Sequence, residues 1–434
     1  MTFNLSGAIA NVSVRLAAGV NGYVEVAGTR AEYLAGAITA VDSVEVAWRR
    51  ASARDHADAG TLRVSLLSRD LSHSIEWGTE VTIVADVAGA EDVVIGHGWA
   101  SNITRRRVGG GLGGWRWDID LVDAIGRAAG YVVRAEPWPT EMASTRLTRM
   151  ENLGLVTITR AGSNILHDAR LAPRDSNSQT MLDIVKLSMP VGYVVGEDGQ
   201  GLNIGVNLPL RDDTDGGGPT YAARPAHGAI VVPADAVEDL GVDINRAATI
   251  NEGDVKFRHY SNEENAWVDN NVYRRTSDPR DGSRLSIETD FVHGESSSSL
   301  DKVSRTELYL EAIIAATAEA RPCLVGSRIA AGPWLAEVLP SDKRNPAPLV
   351  RLEGLPTFQG IDVVHHVIAG NLTYSAEGAT LVLELEPAAL EGWHRATWGT
   401  LGPYKRTFGD GWLDGVRYLI SDFHTYRNLY LSFT

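Results

Sequence analysis

The chain has 434 residues, of which 44% are hydrophobic and 22% are charged, as in ordinary soluble globular proteins. This length predicts two to four domains, and the composition excludes collagen, coiled coil and general disorder as overall descriptions. The net charge of −15 argues against binding of DNA or an anionic membrane by bulk electrostatics. The single cysteine, Cys323, excludes an internal disulfide and a cysteine-rich zinc site.

The first 40 residues are treated as an N-terminal segment. They lack the charged n-region of a signal peptide, and no run of about 18 apolar residues occurs anywhere in the sequence. We therefore expect neither a secretion signal nor insertion into a membrane.

Residues 41–134 are predicted to form a first small β-barrel. Hydrophobic side chains alternate with polar or small ones at Val44–Trp48, Leu62–Leu66 and Trp115–Leu121, the period of a strand with one buried face. Glycine-containing turns separate these strands, among them the VGGGLGG run at 108–114. Five or more short strands in such a segment favour a small barrel or sandwich.

Residues 135–236 are predicted to be an inserted mixed α/β domain. Leu147, Met150 and Leu153 have helical spacing after Thr140, a candidate N-cap, and Gly154 is a natural stop.

A second helix is predicted at 178–189, with Ser178 as its cap and Pro190 beyond its end. The segment 192–206 then has the pattern of a β-hairpin with an Asp-Gly turn.

Residues 237–388 are predicted to form a second barrel related to the first. Strand patterns occur at 244–260 and 349–387, and a helix is predicted at 301–320, where Leu310, Ile313 and Ile314 lie one turn apart. The fold class is therefore mainly β, with two related small barrels, the inserted α/β domain and a C-terminal arm.

The arm at 389–434 is rich in aromatic residues, which make up ten of the 45 residues 390–434. A short segment so aromatic and so poor in aliphatic residues cannot bury itself well, so we expect it to pack on another surface, either of the same chain or of a partner. The candidate docking residues are Trp393, Trp398, Tyr404, Trp412 and Tyr426.

Candidate metal and phosphate sites are weak. On a strand, His365 and His366 point to opposite faces and cannot chelate one ion together. The DDTDG run at 212–216 lacks the bidentate glutamate of a calcium loop. The glycines at 108–114 follow Arg105–Arg107, but no helix opens after them, so a charged hairpin tip is favoured over a phosphate site. We expect no cofactor and no metal.

Catalytic constellations are equally weak. The acidic pairs Asp118/Asp120 and Glu384/Glu386 are spaced so that each pair shares a strand face, as glycosidase carboxylates could, but a polar strand face gives the same spacing. We find neither a nucleophile elbow nor an HExxH motif, and Cys323 is favoured as a packing residue. We therefore expect that the protein is not an enzyme.

The order of these elements resembles a family. Four stretches carry the resemblance: VDSVEVAWRRASARDHADAGTLRVSLLSRD with WGTEVTI and IGHGWASNITRR; WRWDIDLVDAIGRAAGYVV with EPWPTEMASTRLTRM; SQTMLDIVKLSMPVGYVVGEDGQGLNI; and VRLEGLPTFQGIDVVHHVIAGNLTYSAEGATLVLELEP. Together they resemble the hub-type minor tail proteins of siphophages that infect actinobacteria, relatives of contractile-phage baseplate hubs and of type VI secretion spikes.

The resemblance implies a structural virion protein at the tail tip, assembled in the host cytoplasm. Three copies would form a ring of two barrels each, joining the tail tube or a distal tail protein to other tail-tip minor tail proteins. Its lumen would pass the tape-measure protein and then DNA, without specific DNA binding. The chain's acidity suits that role, because a negative wall repels phosphate.

Three other hypotheses stay open at this stage. A distal tail protein would form a hexameric ring beside the hub. A host-surface adhesin would use the aromatic arm to stack on sugars, with Trp393 and Trp412 as test positions. A cell-wall hydrolase would use Asp118 or Glu384 as acid or base.

Overall fold

A computed structural model describes residues 2–4, 9–18, 22–69, 75–87, 90–109, 113–133, 138–160, 170–174, 179–189, 191–199, 201–206, 210–211, 220–221, 229–233, 237–238, 241–244, 250–261, 263–275, 283–290, 310, 313–314, 322–325, 328–329, 334–353, 364–387, 395–396, 411–413, 416–418 and 429–430. In this part of the chain, no helix is long and apolar enough to cross a membrane.

The first part of the chain is built from strands joined by turns and one short helix. The elements are β1 (Thr2–Asn4), β2 (Ile9–Ala18), β3 (Gly22–Val26), α1 (Arg30–Ala35), β4 (Thr39–Arg49), β5 (Asp58–Ser68), β6 (Glu80–Val87), β7 (Ala90–Arg107) and β8 (Trp115–Val122). The predicted alternation is confirmed, because Val44, Val46, Leu62 and Val64 are all buried.

The middle part is mixed α/β. Its elements are α2 (Ala124–Gly130), β9 (Glu141–Met142), α3 (Ala143–Glu151), β10 (Thr157–Arg160), β11 (Arg170–Leu171), α4 (Met181–Leu187), β12 (Tyr193–Glu197), β13 (Gly201–Val206), β14 (Leu210–Arg211), β15 (Thr220–Tyr221) and β16 (Ile230–Pro233). The predicted hairpin is the antiparallel pair β12–β13, and β10 adds to it in parallel. The three helices pack against this small sheet around one apolar cluster.

The helix starts differ from the prediction. Thr140 is not an N-cap: α3 begins at Ala143, and Met142 precedes it without a side-chain cap. Helix α4 is capped by Thr180, which accepts a hydrogen bond from the backbone N–H of Asp183, and not by Ser178, which lies outside the described residues. A hydroxyl in the sequence identifies a cap only when the backbone turns at that residue.

The last part of the chain returns to strands. Its elements are β17 (Val237–Glu238), β18 (Gly241–Ile244), β19 (Ile250–Ser261), β20 (Ala266–Arg275), β21 (Ser283–Glu288), β22 (Pro322–Val325), β23 (Arg328–Ile329), α5 (Leu335–Val338), β24 (Leu349–Glu353), β25 (Val364–Ser375), β26 (Gly378–Pro387), β27 (Arg395–Ala396), β28 (Gly411–Leu413), β29 (Val416–Tyr418) and β30 (Leu429–Tyr430).

The helix predicted at 301–320 is confirmed at the residues the structure describes there. Leu310, Ile313 and Ile314 are helical and buried, and they pack with Val255 and Phe257 of β19. The remaining residues of that predicted helix lie outside the described part of the chain.

One twelve-stranded sheet, here called the main sheet, joins both ends of the chain. Its order is β1-β26-β25-β4-β5-β8-β7-β6-β2-β3, with β24 paired to β25 and β16 paired to β24. The decisive contact is antiparallel pairing of β25 with β4, from Ala369 opposite Arg49 to Ser375 opposite Ser43. Strands of the segments predicted as two barrels therefore lie side by side in one sheet, and the N-terminal segment contributes three more.

The main sheet curves around a single core. Val14 of β2 and Val26 of β3, at one end of the strand order, share a buried cluster with Leu381 and Leu383 of β26 at the other. Helix α5 also packs into this cluster. The prediction of a mainly β fold with a mixed α/β insertion is thus confirmed. The predicted domain boundaries and the predicted structural relationship between the two barrels stay predictions.

Gly370→Ala tests the tight β25–β4 pairing. Gly370 lies opposite Trp48, and a Cβ at residue 370 would overlap the Trp48 indole ring. We expect G370A to lower the free energy of unfolding by about 1–3 kcal/mol in urea denaturation. Gly130→Ala is the matched control, because a Cβ there meets nothing within 4 Å. Equal stability of the two variants would contradict the role of this contact.

Candidate functional site

A row of polar side chains crosses six strands of the main sheet on the face opposite the core. The strand register aligns them one after another, and we call them the polar row: Thr380, Thr373, Glu45, Arg63, Asp120 and Asn102. Successive side chains on a strand point to opposite faces, so burial of their neighbours in the core directs these groups outward.

Charges in the polar row compensate one another. Arg63 donates to Asp120 at 2.7 Å and lies 3.9 Å from Glu45, and Asn102 donates to the second oxygen of Asp120 at 3.0 Å. The hydrogen bonds from Arg63 and Asn102 lower the pKa of Asp120.

The neighbouring carboxylate, Asp118, is held in the same way. It accepts hydrogen bonds from Ser65 at 2.6 Å and from Arg116 at 2.8 Å. Partial burial opposes ionisation, but these two hydrogen bonds and the Arg116 charge outweigh it and lower the pKa of Asp118. A carboxyl group so stabilised as the anion is a poor general acid at neutral pH.

The acidic pairs of the hydrolase hypothesis each lie on one strand, Asp118 and Asp120 on β8 and Glu384 and Glu386 on β26. In the first pair both carboxyl groups bind arginines, which stabilises both as anions. A glycosidase pair needs one carboxyl group that stays protonated as the general acid, and neither Asp118 nor Asp120 is held in that form.

The remaining candidates from the sequence are the histidine pair, the DDTDG run, Cys323 and the aromatic docking residues. His365 and His366 are consecutive buried residues of β25, so they face opposite sides of the sheet. Among the described residues, no three potential metal ligands cluster. The DDTDG run, Trp393, Trp398, Tyr404 and Tyr426 lie outside the described residues, and Trp412 and Cys323 are described only as backbone of β28 and β22.

A buried polar junction, which the sequence did not indicate, ties the inserted region to the main sheet. Arg344 donates to the carbonyl oxygens of Ile95 at 2.7 Å and Leu339 at 2.6 Å, and its guanidinium stacks 3.8 Å from the Trp48 ring centroid. Arg50 donates to the Arg344 carbonyl at 2.9 Å. Burial lowers the pKa of both Arg50 and Arg344 to about 10.

Asn345 carries the junction into the β12–β13 hairpin. Its side-chain amide donates to the carbonyl oxygens of Val194 at 3.2 Å and Asn203 at 2.7 Å. Gly196 and Gly205 let it approach, because a Cβ at Gly196 would overlap the Asn345 side chain and a Cβ at Gly205 would lie 2.9 Å from the Pro346 nitrogen and 3.0 Å from Asn345 Nδ2. Removal of this one side chain would leave two buried carbonyl oxygens without that partner.

The loop after β4 contacts the same hairpin. The backbone N–H of Val195 donates to His56 Nδ1 at 2.9 Å, and the N–H of Ala57 donates to the Val195 carbonyl at 2.8 Å. Burial, together with the charges of Lys186 and Arg50, lowers the pKa of His56 to about 3. The ring is therefore neutral in the folded protein and accepts this hydrogen bond.

A second buried cluster ties the inserted region to the end of β21. Arg146 of α3 donates to Asp290 at 3.0 Å, to Glu141 at 3.0 Å and to the Ala172 carbonyl at 2.9 Å. Arg146 is only 1% exposed. Asp290 also pairs with Arg174, so its charge is compensated from two sides.

His56→Gln tests the first junction through pH. The folded-state pKa of His56 is about 3, against about 6.5 for an unfolded histidine, so only the unfolded chain gains this proton between those values. We expect the His56 contribution to stability, present above about pH 6.5, to fall by about 1 kcal/mol per pH unit on acidification. The wild-type minus H56Q difference in free energy of unfolding, measured from pH 7 to 5, should shrink; a constant difference would contradict this assignment.

Arg146→Ala and Arg149→Ala form a matched pair that tests the second cluster. Both residues are on α3 and bind Glu141, but Arg149 is exposed. We expect R146A to lose about 3–5 kcal/mol of unfolding free energy, because Asp290 loses a buried partner, and R149A to lose at most about 1 kcal/mol. Similar losses for the two variants in chemical denaturation would refute the difference.

No protein-family model matches the sequence, and no curated protein matches it. Among solved structures, the chain is similar to the 43 kDa tail protein of prophage MuSo2 from Shewanella oneidensis, at 9% identity and a TM-score of 0.48, over 87% of this chain and 96% of that one. It is similar to the tail protein from Neisseria meningitidis MC58 at 13% identity and a TM-score of 0.46, over 86% and 95%. It is also similar to the E. coli c3393 protein, a component of the type VI secretion system, at 10% identity and a TM-score of 0.39, over 82% and 77%.

Proposed function

We propose that this chain is a structural protein of a phage tail tip, a hub whose three copies form a ring between tail tube and tip. The tape-measure protein and later the DNA pass through its lumen. Its partners are the tail-tube or distal tail protein and other tail-tip minor tail proteins, and it needs no cofactor.

The observation that carries this proposal is the placement of the stretches that resemble hub proteins. The first and last stretches supply β4–β7 and β24–β26 of the main sheet, which share one core. The second supplies β8, α2 and α3, and the third supplies α4 and the β12–β13 hairpin of the inserted region. The segments thus place strands from both predicted barrels in one curved main sheet, with the mixed α/β insertion attached, and this mainly β fold supports the proposal.

The polar row is our candidate for the conduit wall. Its one guanidinium, that of Arg63, is held by Asp120 and Glu45, so a passing phosphate must compete with two carboxylates. Its other members are hydroxyl, amide or carboxylate groups, which give phosphate no positive charge to bind. With a chain charge of −15, such a wall favours passage over adhesion.

The aromatic arm is proposed as the docking segment of the hub. Trp393, Trp398, Tyr404, Trp412 and Tyr426 would bury their rings against a neighbouring tip protein, which explains an aromatic content that the arm cannot bury by itself.

The test is the copy number of the assembled particle. We expect purified full-length protein to give a trimer in native mass spectrometry and a threefold ring with a central hole in electron micrographs. Six copies would instead support the hexameric distal tail protein. A monomer at micromolar concentration, with no ring in isolated virion tail tips, would refute a hub.

A further inference from the structure

Strand β7 has two ends of opposite charge. Strand β7 is 18 residues long, which spans roughly 60 Å when extended. It pairs with β6 over its first half and with β8 over its second half. Because both pairs are antiparallel hairpins, the β6–β7 turn and the β7–β8 turn lie at opposite ends of β7.

The end at the β7–β8 turn, here called the basic end, carries six arginines: Arg30, Arg69, Arg105, Arg106, Arg107 and Arg116. Arg30 and Arg116 both bind the buried Asp42, at 3.2 Å and 2.9 Å, and Arg106 lies opposite Arg116 in the strand register. Among the described residues, the carboxylates at this end are fewer: Glu32, Asp42, Asp118 and Glu377. Arg106 and Arg107 are exposed and form no ion pair with any described carboxylate.

Apolar side chains border the basic end. Leu34 of α1 is 50% exposed and Ile38 is 63% exposed. Arg69 contacts the same segment. Its backbone N–H donates to the Ile38 carbonyl, and its guanidinium stacks on the ring of Tyr33, the residue before Leu34. Exposed aliphatic groups beside exposed guanidinium groups are typical of a protein-contact surface.

The end at the β6–β7 turn, here called the acidic end, has the opposite balance. Among the described residues, its carboxylates are Asp86, Glu91, Asp92 and, on an adjoining turn, Asp342. Its cations are Arg15, which pairs with Asp92, the buried Arg344, and Lys343. Asp92 is 68% exposed, and Glu91 is also exposed.

We propose that the basic end of one copy docks on the acidic end of the next copy in the ring. This inference rests on the proposed hub ring. A ring of three needs a heterologous contact, in which two different patches of each copy meet, and these two ends are complementary in charge.

Duplex DNA is the competing occupant of the basic end. A second copy is favoured over DNA because the aliphatic side chains of Leu34 and Ile38 make no favourable contact with phosphate. In addition, the rest of an acidic chain repels DNA.

The experiment compares two charge-reversal variants of equal net charge. R106E/R107E alters the basic end, whereas R49E/R275E changes two exposed arginines, on β4 and β20, away from it. We expect R106E/R107E to raise the subunit dissociation constant at least tenfold in sedimentation velocity, and the control to leave it within about twofold of wild type. The wild-type assembly should also weaken as salt rises from 0.05 to 0.5 M.

A variant at the acidic end tests the other side of the same contact. E91K alone should weaken the assembly, and E91K combined with R106E/R107E should restore part of it, because both partners are then reversed. Assembly of R106E/R107E equal to that of the control would overturn the inference, as would duplex DNA binding by wild type that R106E/R107E abolishes while assembly is unchanged. A wild-type protein that forms no ring would instead overturn the proposed function.

Discussion

Pairing of β25 with β4 is the contact on which the rest of the structure depends. It joins a strand near residue 370 to one near residue 45, so the chain must leave the main sheet after β8 and return to it at β24. The residues between have to be accommodated outside the main sheet, apart from β16, which pairs with β24. The mixed α/β region and the β19–β21 sheet are thus consequences of where the chain must leave and re-enter.

The long insertion has to be held in one orientation against the main sheet, and buried polar groups hold it there. A long insertion attached only by its two ends would move freely against the sheet. Arg344 and Asn345 lie just before the return to β24, and they bind main-sheet carbonyl groups on one side and hairpin carbonyl groups on the other. Buried charges are costly unless fully bonded, so these contacts favour one orientation of the insertion over others.

The distribution of charge matters more than its sum. Although the chain carries −15, the polar row pairs its one cation, Arg63, with carboxylates, and the two ends of β7 differ in sign. A neutralised row and charged ends suit the proposed ring, in which one surface would let a polyanion pass while others would hold neighbouring copies. The same sheet can supply both, since side chains alternate across it and its turns lie at its ends.

The sequence by itself determined the local elements. Period-two alternation located β4, β5 and β8, and the Asp-Gly turn located the β12–β13 hairpin, because a strand with one buried face and a tight turn leave local signatures. Side-chain chemistry alone did not locate the helix starts: Thr140 has the hydroxyl of a cap but does not lie where α3 begins.

Only the tertiary structure decided which strands pair and which charges meet. No local pattern in the sequence identifies β25, rather than a strand of the same segment, as the neighbour of β4. This pairing determines the polar row, in which Thr373 lies opposite Glu45. Nor does any motif mark Arg344 or Asn345, whose partners Ile95, Val194 and Asn203 lie about 140 to 250 residues away along the chain. Long-range pairing depends on the packing of the whole core, so it is encoded in the complete sequence and not in any one segment.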